Sequence, residues 1–151
     1  MSEAFMFKHI LLATDGSPAS EHAAKLAVDL ARVHGAKVTV LYVVDPYPYL
    51  GIGEANPYGF QAYMAAAQEH AAQAHAKVVA MCGEGADKVT MQSRIVEDMT
   101  AASGIVKTAK DEGADLIVVG SHGHTGLTRL MLGSVATKVV AESTVPVLVA
   151  R

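Results

Sequence analysis

The residues whose types and spacing suggest chemistry lie late in the chain, in Leu116 to Val135, LIVVGSHGHTGLTRLMLGSV. Gly120 and Gly123 stand three apart behind an apolar run, nine residues follow, and Gly133 then precedes Ser134. An apolar run without alternation reads as a strand buried on both faces, and the glycine that ends it lets backbone come close to a bulky group. A helix beginning near Ser134 turns unpaired amides and the positive end of its dipole toward an anion. The Ser134 hydroxyl is then open to two uses, capping that helix or touching a phosphate oxygen. The chemistry indicated is the holding of a phosphate-bearing ligand by bare backbone.

A second half of such a site is sought at the other strand exits. The apolar segment His9 to Ala13 leaves through Thr14–Asp15–Gly16–Ser17–Pro18. Asp15 has two open readings, accepting hydrogen bonds from ribose hydroxyls or capping its own turn. His122, His124 and Arg129 lie in or just after the glycine loop, within reach of phosphates or facing solvent. The loop is not a Walker A sequence, since no Lys–Ser or Lys–Thr pair follows Gly133, nor is it a dinucleotide G-x-G-x-x-G after the first strand. Ordinary P-loop hydrolysis therefore lacks its lysine. No G-x-S-x-G elbow occurs. His22, His34, His70 and His75 form no tight ligand spacing and read as surface histidines, and the methionines read as core filler.

The elements that must position these residues follow from apolar period and punctuation. Strands are expected at His9–Ala13, Lys37–Val44, Lys88–Val96, Leu116–Val119 and Val145–Val149. Ser17 as N-cap and Pro18 at the first helical position start a helix that runs to His34 and stops at Gly35. An alanine-rich helix from Gln61 to Met81 carries Met64, Ala67, Ala71, Ala74, Val78 and Met81 on one face. Asp98 or Thr100 caps a third helix ending near Glu112, and Ser134 to Glu142 makes the fourth. Asp45 to Phe60, with Pro46, Pro48, Gly51, Gly53, Pro57 and Gly59, reads as an irregular loop, either a binding lid or a mobile connection. Pro146 suits the start or exposed side of a terminal strand. Strands alternating with helices specify an α/β fold, an open, mostly parallel five-stranded sheet with helices on both faces. Ligands in such sheets lie beyond the carboxyl ends of the strands.

With 151 residues the chain fits a single domain, 1–151, and its formal charge of −3 mixes both signs without a basic patch for nucleic acid. Cys82 is the sole cysteine, so no intrachain disulfide forms and a reducing compartment is expected. No run approaches the ~20 apolar residues of a membrane span, and the N-terminus lacks the pattern of a secretory leader, so a cytoplasmic protein is expected.

Gly120-x-x-Gly123, nine residues, Gly133–Ser134, taken with ILLATDGSPAS near the start and VPVLVAR at the end, closely resembles the universal stress protein family over essentially the whole chain. The resemblance implies a Rossmann-like sheet with strand order like 3-2-1-4-5 and, because the glycine motif is intact, the family's ATP-binding branch. It implies that Thr14 and Asp15 lie by adenosine, that Val43 meets adenine through its backbone, and that Val119 lines the pocket. Gly120, Gly123 and Gly133 then hold ribose and phosphates, aided by Ser134 and Val135. It further implies ATP (or ADP or AMP) as ligand, with Mg²⁺ accompanying the triphosphate though no carboxylate cage is evident, and a homodimer through Val145–Val149. The functional expectation is an ATP-binding regulatory protein of stress physiology. Slow ATP hydrolysis is left open because no general base is assigned. A partner-binding dimer without nucleotide and a phosphotransferase or nucleotide hydrolase are the alternatives.

Overall fold

The computed structural model describes residues 6–44, 57–83, 87–97, 99–121 and 132–151. Chain order is β1 (His9–Ala13), α1 (Pro18–His34), β2 (Lys37–Val43), α2 (Pro57–Cys82), β3 (Met91–Val96), α3 (Ala101–Glu112), β4 (Leu116–Gly120), α4 (Ser134–Glu142) and β5 (Val147–Ala150). The five strands form one sheet in the order β3-β2-β1-β4-β5, with every pairing parallel. This is the expected Rossmann-like α/β architecture.

The three inner strands are apolar because both of their faces are covered. Ile10, Leu12, Val38, Val40 and Val118 pack on one side with alanines and Val28 of α1 and with Val78 of α2. Leu11, Leu41, Ile117 and Val119 pack on the other with Ile105 and Ala109 of α3 and Val139 of α4. Alanines at positions 23, 24, 27 and 31 are at most 1% exposed, so α1 lies close on the sheet without a bulky spacer. β3, at an edge, alternates little and is mostly exposed, as its polar sequence suggests. Gly35 and Gly113 end α1 and α3 at φ 67° and 71°, a left-handed conformation in which a Cβ is strained.

Several boundaries differ from the sequence reading. α2 begins at Pro57, so Pro57 to Phe60 belong to a helix and only 45–56 of the expected loop lie outside the described residues. Proline at a first helical position forfeits no hydrogen bond, and that start signal outweighs Gly59 as a breaker. β3 starts at Met91, three residues late, although the Thr90 carbonyl already accepts from Val38 N at 2.9 Å. β4 extends to Gly120. β5 starts at Val147, because Pro146 has no amide to donate, while its carbonyl accepts from Ile117 N at 2.9 Å. Thr100, not Asp98, caps α3; Asp98 lies outside the described residues.

The surface reading holds for His22 and His70 but not for the other two helix histidines. His34 is half-buried, packs edge-on against Phe7 with ring centroids 5.2 Å apart, and accepts from Met6 N at 3.2 Å. His75 is half-buried with its Nε2 enclosed. His9, which the pattern treats as a plain strand residue, is 6% exposed and shares a 2.6 Å hydrogen bond from Nε2 with Oγ1 of fully buried Thr39. Among the described residues no helix is long and apolar enough to cross a membrane.

Candidate functional site

β1 and β4 are neighbours, yet the helices that leave them cover opposite faces of the sheet. The two crossovers therefore diverge above the strand ends and leave a crevice there. It holds a cavity of about 310 Å³, near the lower end of the ~300–1,000 Å³ usual for small-molecule sites.

The β1 side of the cavity is a tight turn. Thr14 spends its buried hydroxyl on structure, donating to Ser20 Oγ at 3.0 Å and accepting from Gly16 N at 3.2 Å. Asp15 accepts from Ser17 N through Oδ1 at 2.9 Å, so the turn-capping reading is correct, and it lines the cavity as well. The two roles coexist: the hydrogen bond fixes the carboxylate that faces the crevice.

The β2 side offers backbone. Thr14 N donates to the Leu41 carbonyl at 3.0 Å, toward β1, and Val44 N donates to the Val96 carbonyl at 2.8 Å, toward β3. In a parallel ladder the polar groups of alternate residues face the same neighbour. Val43, two residues beyond Leu41, thus turns its amide and carbonyl to the β1 side at a level where β1 has ended at Ala13. A donor and an acceptor side by side suit the edge of a heterocycle.

The β4 side supplies the floor and the helix start. Val119 and Gly120 line the cavity, and the Ser121 carbonyl accepts from Gly133 N at 2.7 Å, pinning together the two ends of the glycine loop. α4 begins at Ser134 with Gly133 as N-cap at φ −63°, ψ 160°, and no side chain among the described residues caps it. Of the two readings for Ser134, capping is excluded: it occupies the first helical position and is exposed at the cavity wall. Val135, 38% exposed, lines the same wall. The first turn of α4 and the positive end of its dipole border the cavity, the arrangement in which helix starts favour anions.

Of the nine candidate residues, Thr14, Asp15, Val43, Val119, Gly120, Gly133, Ser134 and Val135 come together around this one cavity. The ninth, Gly123, lies outside the described residues, as do His122, His124 and Arg129. Sequence reasoning missed Ser20, Tyr42, Ala101 and Ile105, which also line the cavity. Nothing in the sequence local to Ala101 or Ile105 marks a ligand. Among the described residues no lysine, arginine or histidine lines it, and no cluster of three His, Cys, Asp or Glu side chains is placed to hold a metal.

The profile of the universal stress protein family matches residues 6–151. The chain belongs to the universal stress protein family. It is 36% identical over 146 residues to universal stress protein MJ0531 of Methanocaldococcus jannaschii, spanning 97% of this chain and 83% of that one. It is 38% identical over 148 residues to a universal stress protein of Thermus aquaticus encoded in the QAH/OAS sulfhydrylase 3' region, covering 97% of this chain and all of that one. Among solved structures, protein MJ0577 of M. jannaschii superposes with a TM-score of 0.79 at 30% identity over 96% of both chains. A universal stress protein in complex with cAMP, at 23% identity and a TM-score of 0.64 over 96% of this chain and 97% of its own, shares the fold.

Proposed function

We propose that this universal stress protein is a nucleotide-responsive regulatory protein of stress physiology that binds ATP in the crevice between β1 and β4. The observation that carries the reading is the cavity that joins the glycine-capped start of α4 to Asp15 and to the outward-facing backbone of Val43. The base belongs against Val43, the ribose by Asp15, and the phosphates at Gly120, Gly133 and Ser134, with Val135 beside them; Gly123, outside the described residues, shares that role through the family's glycine motif alone. A divalent cation such as Mg²⁺ would accompany the triphosphate and offset its charge.

The same reading includes a homodimer through the terminal strand, Val145–Val149. It is supported by β5 lying at the sheet edge with Val147, Leu148 and Val149 only half-buried. A cytoplasmic location fits the single, buried, unpaired cysteine.

Isothermal titration of nucleotide-stripped protein tests the site. Saturable ATP binding is expected, tighter than adenosine by roughly tenfold or more, the equivalent of about 1.4 kcal/mol per decade. Asp15→Ala should weaken ATP several-fold without a matching fall in melting temperature. Neither heat nor a thermal shift with ATP, ADP or AMP would overturn the reading.

A further inference from the structure

Two residues of α3, Ala101 and Ile105, reach the cavity, and Gly104 stands between them on the buried side of the helix. Nothing about its backbone asks for glycine. Its φ is not among the positive values, and its amide makes the regular helical bond to the Thr100 carbonyl at 2.9 Å. Glycine is among the poorest helix formers, so its presence in the first turns of α3 works against the helix. The space around it supplies the reason. A Cβ at this position would stand 3.0 Å from Val43 Cγ2, 3.2 Å from Val43 Cγ1 and 3.6 Å from Val96 Cγ1. Both methyl groups of Val43 crowd the same point, so turning χ1 exchanges one close contact for another, and a valine in a strand has few rotamers to choose from. Val43 and Val96 are also partners across the β2–β3 ladder, which resists a shift of either backbone.

We propose that Gly104 is a positioning residue for base selectivity: by lacking a side chain it lets α3 seat against Val43, and so fixes the apolar end of the cavity and the Val43 backbone that meets the base. This rests on the nucleotide reading above and extends it to the part of the ligand that is discriminated. The Val43 amide and carbonyl match an acceptor beside a donor, the pattern of the N1 and N6 edge of adenine. Guanine presents a donor and an acceptor in the reverse order at the equivalent edge. An added Cβ at 104 moves either Val43 or the start of α3, spoiling this match while leaving the phosphate end at α4 intact.

The test is competition titration of ATP against GTP on the full chain, wild type and Gly104→Ala. Gly104→Ala is expected to lower the ATP-to-GTP preference about tenfold, the scale of one misplaced methyl group in a binding pocket. The ratio does not depend on the fraction folded, so a purely structural role leaves it unchanged, and an unchanged ratio overturns the proposal. Val43→Ala/Gly104→Ala supplies the rescue, because it removes both carbons that the new Cβ strikes. It should match Val43→Ala alone in its ratio, and a tenfold difference between those two overturns the proposal even where Gly104→Ala by itself fails to fold. Loss of all nucleotide binding in the wild type would instead refute the parent reading, and this inference with it.

Discussion

α1 and α4 leave adjacent central strands, point their N-termini at the same crevice, and finish those N-termini in opposite ways. The start of α1 is closed from within the chain. Ser17, 2% exposed, accepts from Ser20 N at 3.2 Å, Pro18 has no amide to satisfy, and Glu21 in the first turn pairs with Lys77 of α2 at 2.7 Å. The start of α4 has Gly133 as its N-cap, with no capping side chain among the described residues. α3 sides with α1, since Thr100 Oγ1 accepts from Ser103 N at 3.4 Å. Glycine at an N-cap costs only a few tenths of a kcal/mol relative to a capping side chain, whereas alanine costs about 1 kcal/mol, so α4 keeps its first turn clear of a side-chain acceptor at little loss of stability. On the proposed reading, the difference separates two helix ends that serve the fold from one that serves a ligand.

The sharpest way to break this contrast is to give α4 the kind of cap the others have. Gly133→Asp puts a side-chain acceptor at a position whose φ of −63° any residue adopts, and aspartate is a preferred N-cap. It also sets a negative charge where the proposed reading puts the phosphates. ATP affinity should fall by roughly tenfold or more while adenosine affinity changes less than about threefold. Titration of both ligands decides it. Equal losses for the two would mean that the site has collapsed, and no loss would mean that α4 does not hold the phosphates.

The converse change opens a cap that serves only the fold. Thr100→Ala should lower stability by about 1 kcal/mol in urea denaturation, leaving ATP affinity within about twofold. A large loss of ATP affinity would show that the α3 cap, too, belongs to the site, and the division between the helix ends would dissolve.

The helix starts also show what a sequence discloses and what it withholds. Ser17–Pro18, Gly35, Gly113 and Ser134 mark their helix ends through local chemistry, and the apolar runs of β1, β2 and β4 mark strands covered on both faces. Parallel pairing follows from that alternation, whereas the order β3-β2-β1-β4-β5 came from the family resemblance. Candidate residues joined by backbone motifs, from Thr14–Asp15 to Gly133–Ser134, were legible because a turn or a loop needs those types there. Gly104 was not, since a mid-helix glycine has meaning only once Val43 is seen across from it. Ile105 and Tyr42 were hidden for the same reason: their neighbours at the cavity come from other elements. Hydropathy pattern could not reveal the half-buried state of His75, because one polar residue on the flank of an alanine-rich face leaves the period unchanged.

His75 gives the smallest effect and tests whether the α1–α2 side of the sheet acts independently of the crevice. Its Nε2 is buried without a hydrogen-bond partner among the described residues, and burial holds its pKa below the ordinary imidazole value of 6.5, only partly offset by the Val40 and Arg94 carbonyls. His9 moves the same way, first through burial and then through the nearby charge of Lys37. In both cases the unfolded chain takes up a proton before the folded one does. The stability that comes from keeping them neutral is therefore complete above pH 6.5 and is lost as the pH falls from there toward the lowered folded values. Melting curves between pH 7.5 and 5.5 should accordingly show a smaller acid-induced drop for His75→Leu than for the wild type, with His9 supplying what remains of the slope. ATP affinity over the same range should be the same in both proteins once the wild type is kept below its melting temperature. If it followed the His75 titration instead, protonation beneath α2 would be felt at the crevice, and the sheet would be transmitting between its two faces rather than insulating them.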